Sequence, residues 1–299
     1  MRVVSNTIAE NFIRQIQSLG GQQARLQTQV ATGRRITQPE DDPAAVGRVI
    51  NLQGQQRALE QFSRNATRAL DLSQASFSGL NEIKKLSDRA TEIGTLGSGA
   101  LNPTAQAAYA SELNQLIEQA MQLSNSRLGN DYLYAGTAVD APPFVATRDA
   151  VTGDVTSVAY NGNAQQAAIP LSDTASVSPT TTGATNTALG GFLNQLVALR
   201  DALRNNDSAA LSAAQTALIG TEDILVSALA EHGAVQMRVE ANRSQQASLA
   251  ENLTGLISTE VEADLPSTIV KLTQAQTAYS AALQSAATIM RTSLLDYIK

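Results

Sequence analysis

Phe12-Ile13-Arg14-Gln15-Ile16-Gln17-Ser18-Leu19-Gly20-Gly21-Gln22-Gln23-Ala24-Arg25-Leu26-Gln27-Thr28-Gln29-Val30 decides how the rest of this sequence is read. Phe12, Ile16, Leu19, Leu26 and Val30, with Gln23 in the same row, fall at spacings that alternate four and three. That pattern is a helix with a narrow heptad seam, wide enough for one partner helix and little else. A helix of the same design stands near the other end of the chain. There Leu265, Ile269, Leu272, Gln276, Tyr279, Leu283, Ala286 and Met290 repeat the alternation. Terminal helices fray unless something holds them. Two one-edged helices at opposite ends therefore predict that the ends pair and then stack on copies or relatives. Burying one Leu or Ile contributes about 1.5–3 kcal/mol, so an isolated pair stays marginal against ordering entropy. The termini are expected to be loose in the monomer and ordered on polymerisation. Gln23 and Gln276 either set the register of the seam or point outward.

Outward from the first helix, expected over residues 5–32, Gly33 is a C-cap signal, with Arg34 and Arg35 suited to a negative helix end. Pro39 cannot continue a helix. Asp42 before Pro43 is a start signal, a carboxylate cap followed by proline in the first turn. The joint Gly33, Arg34, Arg35, Pro39, Asp41, Asp42, Pro43 carries opposite charges at its two sides. Two readings stay open for those charges: local capping of two helices, or ion pairing between subunits that also uses Arg48.

Helical periodicity predicts further helices over about 43–95, 104–128 (ended by Gly129), 189–205, 208–261 and 265–297. Between about 130 and 188 the period disappears and Gly, Pro, Thr, Ser and Asn accumulate. Val155 to Tyr160 reads as a strand, and Asn161-Gly162 as a hairpin turn. Ile169-Pro170-Leu171 reads as an edge piece, and Thr180 to Thr187 as a polar loop. The expected architecture is mainly α: an elongated antiparallel helical bundle or coiled coil with paired terminal helices and a small β-rich domain inserted at the tip. The expected domains are 1–42 plus 262–299 for assembly, 43–136 plus 189–261 as a helical rod, and 137–188 as the insert.

Composition narrows the function. Aromatic residues make up 4 % of the 299 and Trp is absent, which suits long helices with thin seams rather than a thick core. A formal net charge of −6 argues against general binding of nucleic acid or an anionic membrane. No apolar run is long enough to span a bilayer, and no cleavable secretory signal is expected. With no cysteine, disulfides and thiolate chemistry are excluded, which favours an exported protein. His232 is the single histidine. It stands on or beside the long helix seam and reads as a packed structural residue. Neither metal-ligand spacing, a Gly-x-Ser-x-Gly elbow nor a Gly-rich phosphate loop is present, so no catalytic, cofactor or metal site is expected.

Several runs carry a family resemblance. They are Met1-Arg2-Val3, the joint from Thr32-Gly33-Arg34-Arg35-Ile36 to Asp42-Pro43, and Asp131-Tyr132-Leu133-Tyr134-Ala135-Gly136-Thr137 with Asp140 and Pro142-Pro143-Phe144. Tyr160-Asn161-Gly162-Asn163 and Ser293-Leu294-Leu295-Asp296-Tyr297 complete the set. Together they resemble the flagellin superfamily, and within it the hook-associated subunits that join flagellar hook to filament. The resemblance implies an extracellular structural subunit of the bacterial flagellum, exported by the type III route, with no cofactor and no reaction. The implied partners are copies of itself in a tubular ring, an adjacent hook-associated protein, flagellin, and a cytoplasmic export chaperone on the C-terminal helix. A short flagellin forming the filament itself is the alternative.

Overall fold

The computed structural model describes residues 2–99 and 102–297, with side chains over 10–99 and 102–288. Among the described residues, six helices carry most of the chain and three two-stranded antiparallel sheets the remainder. The helices are α1 (Arg2–Thr32), α2 (Pro43–Ser98), α3 (Pro103–Ser124), α4 (Gly183–Asn205), α5 (Ser208–Val261) and α6 (Leu265–Tyr297). The strands pair in chain order: β1 (Arg127–Leu128) with β2 (Asp131–Tyr132), β3 (Phe144–Arg148) with β4 (Val155–Tyr160), and β5 (Ile169–Pro170) with β6 (Ser176–Val177). The backbone divides into one unit made of Met1–Ala58 with Ser248–Lys299, and a second of Leu59–Ala247.

In the first unit α1 and α6 pack on one another. In the second, Ile83 and Ile93 of α2, Leu113 and Ile117 of α3, and Phe192 and Leu196 of α4 are fully buried in one cluster. The β3–β4 hairpin closes over it through Phe144, Val155 and Val158. Asn194 of α4 clamps the hairpin, accepting from Val158 N at 2.9 Å and donating to Val158 O at 2.8 Å. Arg200 is 2 % exposed. Its guanidinium meets Asp201 Oδ1 at 2.7 Å and donates to Asn114 Oδ1 at 2.9 Å, so the buried charge is paired and hydrogen-bonded.

The β5–β6 hairpin lies on the middle of α2 and α5. Leu171 and Val177 pack with Ala66, Ala69 and Val239. Asn65 Nδ2 donates to Pro170 O at 2.9 Å, Gln246 Nε2 to Leu171 O at 2.6 Å and Arg238 Nη2 to Ser176 O at 2.6 Å. The strands of the insert thus share their core with the helices rather than holding a core of their own.

Three local expectations are corrected. First, α3 stops at Ser124, not near residue 128. The Asn125 side chain leaves the helix to bond Phe144 N and O at 3.0 and 2.9 Å, and Gly129 (φ +63) turns the β1–β2 hairpin. Second, Asn161-Gly162 follows β4 as expected, but among the described residues no strand pairs back across it; the partner of β4 is β3, which precedes it. The hairpin closes over 149–154, where Asp149 Oδ1 accepts from Val151 N and Thr152 N at 2.8 Å and Gly153 has φ +74. An Asx turn competes well with Asn-Gly for that role. Third, α4 begins at Gly183 inside the expected loop, because the Thr182 hydroxyl accepts from Thr185 N and caps it.

Candidate assembly surface

On α1 a single row of side chains is shielded. Phe12, Ile16, Leu19, Gln23, Leu26 and Val30 are each half-buried, and most residues between them are exposed. On α6 the shielded row is different. Thr268 and Ala275 are buried, and Leu272, Tyr279, Ala282 and Ala286 are half-buried. Leu272, Tyr279 and Ala286 belong to both the expected and the observed row. Leu265, Ile269 and Leu283 do not: they are 41 %, 49 % and 45 % exposed. The side chain of Met290 lies outside the described residues.

The reason lies in side-chain size. Thr268, Ala275 and Ala282 recur at heptad spacing one position ahead of Ile269, Gln276 and Leu283. Small residues let two helix backbones approach closely. The Tyr279 ring then fills the space over Gly20, where a Cβ would sit 3.5 Å from Tyr279 Cε2. α6 therefore turns its larger aliphatic residues away from α1. Gln23 stays in the seam, whereas Gln276 faces outward with Ile269 and Leu283.

The joint residues gather where α1 and α5 end. Gly33 (φ +67) takes the left-handed conformation after α1 and accepts from Ala263 N at 2.9 Å. Arg34 forms a single antiparallel bridge with Glu262, and Arg35 N donates to Val261 O at 2.7 Å. Pro39 sits in the turn closed by Asp41 N to Gln38 O at 3.1 Å. Asp41 Oδ2 accepts from Thr37 N, Thr37 Oγ1 and Gln38 N at 2.9–3.0 Å, which holds its carboxyl below the usual range. Asp42 caps α2 through Oδ1 from Ala45 N at 3.0 Å, just ahead of Pro43. That cap, then Arg35, lowers the Asp42 pKa.

Arg48, already named as a candidate for ion pairing, and Glu260, which sequence reading missed, complete the joint. Arg48 grips Glu260 with both prongs, Nε to Oε1 at 2.8 Å and Nη2 to Oε2 at 2.9 Å. Arg35 donates to Glu260 O at 2.8 Å and to Asp42 Oδ2 at 3.1 Å. The hydrogen bonds from Arg48, helped by Arg35, hold the Glu260 carboxyl low. These groups are solvated, so their bonds orient more than they stabilise. Within this chain the charges cap and pair locally. Glu260 stands 212 residues from Arg48, so only the folded ends reveal the pairing. An open groove of about 520 Å³ runs beside the joint, lined by Thr32, Gly33, Arg34, Ile257, Val261 and Leu265.

His232 is buried against α2, with Nδ1 3.1 Å from Ser73 Oγ, and burial pushes its pKa down to about 4. Among the described residues no cluster of His, Asp or Glu converges where a metal could sit, and no helix is long and apolar enough to cross a membrane.

Residues 3–138 match the bacterial flagellin N-terminal helical region. Over this part the chain is similar to the flagellin N-terminal region. The chain is 30 % identical over 146 residues to flagellar hook-associated protein 3 of Salmonella typhimurium, across 48 % of this chain and 46 % of that one. It is 24 % identical over 171 residues to the Escherichia coli protein of the same name, across 56 % and 54 %. The chain thus spans about half the length of the curated relatives it matches. The fold is also that of Bacillus cereus FlgL, at a TM-score of 0.60, 17 % identity, and coverage of 70 % of this chain and 99 % of that one. The matched span includes the α1 seam, the joint up to Pro43, and the run from Asp131 to Thr137 that leads into the insert.

Proposed function

We propose that this chain is a structural subunit of the bacterial flagellum, seated at the junction between hook and filament, and not an enzyme. The observation that carries the reading is the divided α6. One row of that helix is used on α1, while Leu265, Ile269 and Leu283 stand exposed at heptad spacing beside it. A helix that has a partner and still shows an aliphatic row is built for a further neighbour. The similarity to hook-associated protein 3 supports the junction as the place, and α1, α6 and the joint support packing as the means. Copies pack through the exposed row into a tubular ring, meeting another hook-associated protein on one side and flagellin on the other. Arg35, Arg48, Glu260 and Asp42 fix how the end of α1 meets the ends of α2 and α5, so that the row is presented in one orientation.

The same reading puts the protein outside the cell, exported through the flagellar type III route. A cytoplasmic chaperone covers α6 until export. A chain without cysteine suits passage in an unfolded state, since it cannot be trapped by wrong disulfides. The flagellin match favours one other reading, a short flagellin that forms the filament. Gold-labelled antibody on intact cells separates the two. Label in one cluster at the outer end of each hook supports the junction; label along the whole filament overturns it in favour of the flagellin reading.

A further inference from the structure

The outer face of α5 carries a row that its own fold does not use. Leu218, Leu225, His232 and Val239 are buried on one side of this helix. On the other side Ile219, Asp223, Val226, Ala230, Gly233 and Met237 again alternate at four and three. Ile219, Val226 and Met237 are 55 %, 46 % and 70 % exposed. Gly220 and Gly233 weaken the helix here, yet a Cβ on either would meet nothing within 4 Å, so nothing inside the chain calls for them. An aliphatic heptad row with glycines beside it fits the close approach of a helix from another molecule.

Charge says which helix. From Ser208 to Met237, α5 carries Glu222, Asp223 and Glu231 and no Lys or Arg. Two such faces repel, so α5 does not pair with α5. From Pro43 to Leu70, α2 carries Arg48, Arg57, Arg64 and Arg68 against Glu60 alone. Arg57 and Arg64 are exposed, bonded only to Gln53 O at 3.3 Å and Gln61 Oε1 at 2.7 Å among the described residues. Asp223 and Glu231, eight residues apart, are also exposed. On straight helices that is about 12 Å between the carboxylates and about 10.5 Å between the guanidiniums.

We infer that the outer face of α5 in one copy docks on the Arg57–Arg64 face of α2 in a second copy, with Arg64 opposite Asp223. This rests on the reading of the chain as a self-packing flagellar subunit, and it names which faces meet. Within one chain the two faces stand apart. Lys84 pairs with Glu222 at 3.2 Å, and Arg64 is twenty residues from Lys84, about 30 Å along α2. Neighbours joined this way are therefore offset along their helices by about 30 Å. A contact between two different faces leaves one face open at each end and propagates, as a tube requires.

The absence of native cysteine makes the test direct. Arg64→Cys and Asp223→Cys are placed together in the full chain, flagella are isolated from cells that carry only this version, and the thiols are oxidised. A ladder of disulfide-linked multimers is the expected result. Protein present in the flagella but only monomeric after oxidation overturns the docking and leaves the flagellar reading standing. Wild-type protein absent from isolated flagella overturns the flagellar reading instead. Should the double-cysteine chain fail to reach the flagellum, charge reversal decides. Asp223→Arg with Glu231→Arg should abolish incorporation, as should Arg57→Glu with Arg64→Glu, and all four together should restore it. Full incorporation of either pair alone, or no restoration by the four in a chain with wild-type helicity, contradicts the docking.

Discussion

Burial of His232 between α2 and α5 makes the stability of the larger unit depend on pH. Its ordinary pKa of 6.5 falls to about 4 in the folded chain because the charged ring would have to give up water. Between these values the unfolded chain binds more protons, so stability falls as pH drops from about 6.5 to about 4 and is steady below that. The full loss from this residue is about 3 kcal/mol. In urea unfolding at pH 7 and pH 4.5, the wild type should lose about 2 kcal/mol more than His232→Gln; equal losses would show that the ring is already hydrated. Tyr134 sets a different constraint. It is fully buried, its hydroxyl donates to Ser76 O at 3.1 Å, and a Cβ at Gly79 would lie 2.2 Å from Tyr134 Oη. Gly79→Ala should cost about 1–3 kcal/mol in chemical unfolding. Adding Tyr134→Phe should recover part of that loss, because the colliding oxygen is gone; strictly additive losses would count against the contact. Residues acting through the backbone were legible in the sequence, such as Gly33, Pro39 and the Asp42-Pro43 start. Gly79 was not, because its reason is a tyrosine fifty-five positions away in the chain.

At the level of elements, α6 shows where pattern reading loses a degree of freedom. Heptad spacing identifies an apolar side of a helix but not which edge of that side meets the first partner. The large residues Leu265, Ile269 and Leu283 drew the expected seam, while the small ones at Thr268, Ala275 and Ala282 decide the contact with α1. The two rows predict opposite responses. Ala275→Leu should overpack the α1–α6 seam and destabilise that unit by about 1–3 kcal/mol, seen as faster hydrogen exchange in α1. Leu283→Asp should change stability by no more than about 0.5 kcal/mol yet abolish incorporation into flagella, scored by immunoblot of sheared filaments and hooks. A Leu283→Asp chain that incorporates normally would remove the exposed row from the assembly surface. The insert was legible in part: β4 and the Ile169-Pro170 piece stand where alternation placed them. Its turns were not, because Asp149 and Thr182 close or cap through side-chain oxygens that leave no periodic trace. Nor was the docking of β5–β6 on α2 and α5, which depends on Asn65 and Gln246 reaching hairpin carbonyls.

For the whole molecule, the mainly helical architecture followed from the 3.6-residue period and the lack of aromatic bulk, and the family match over residues 3–138 takes in the joint and the Asp131–Thr137 run among the motifs that stood out. The pairing of Arg48 with Glu260 lay beyond reach, since sequence carries no sign of which distant carboxylate a surface arginine will meet. The central claim is that α6 keeps an aliphatic row for its neighbours. It is tested most directly with a single thiol at Leu283→Cys, the only cysteine the chain would then have. Maleimide labelling of that thiol should be rapid in the isolated protein and blocked in intact flagella. Equal labelling in both states would mean that no neighbour covers the row, and the assembly account would fail.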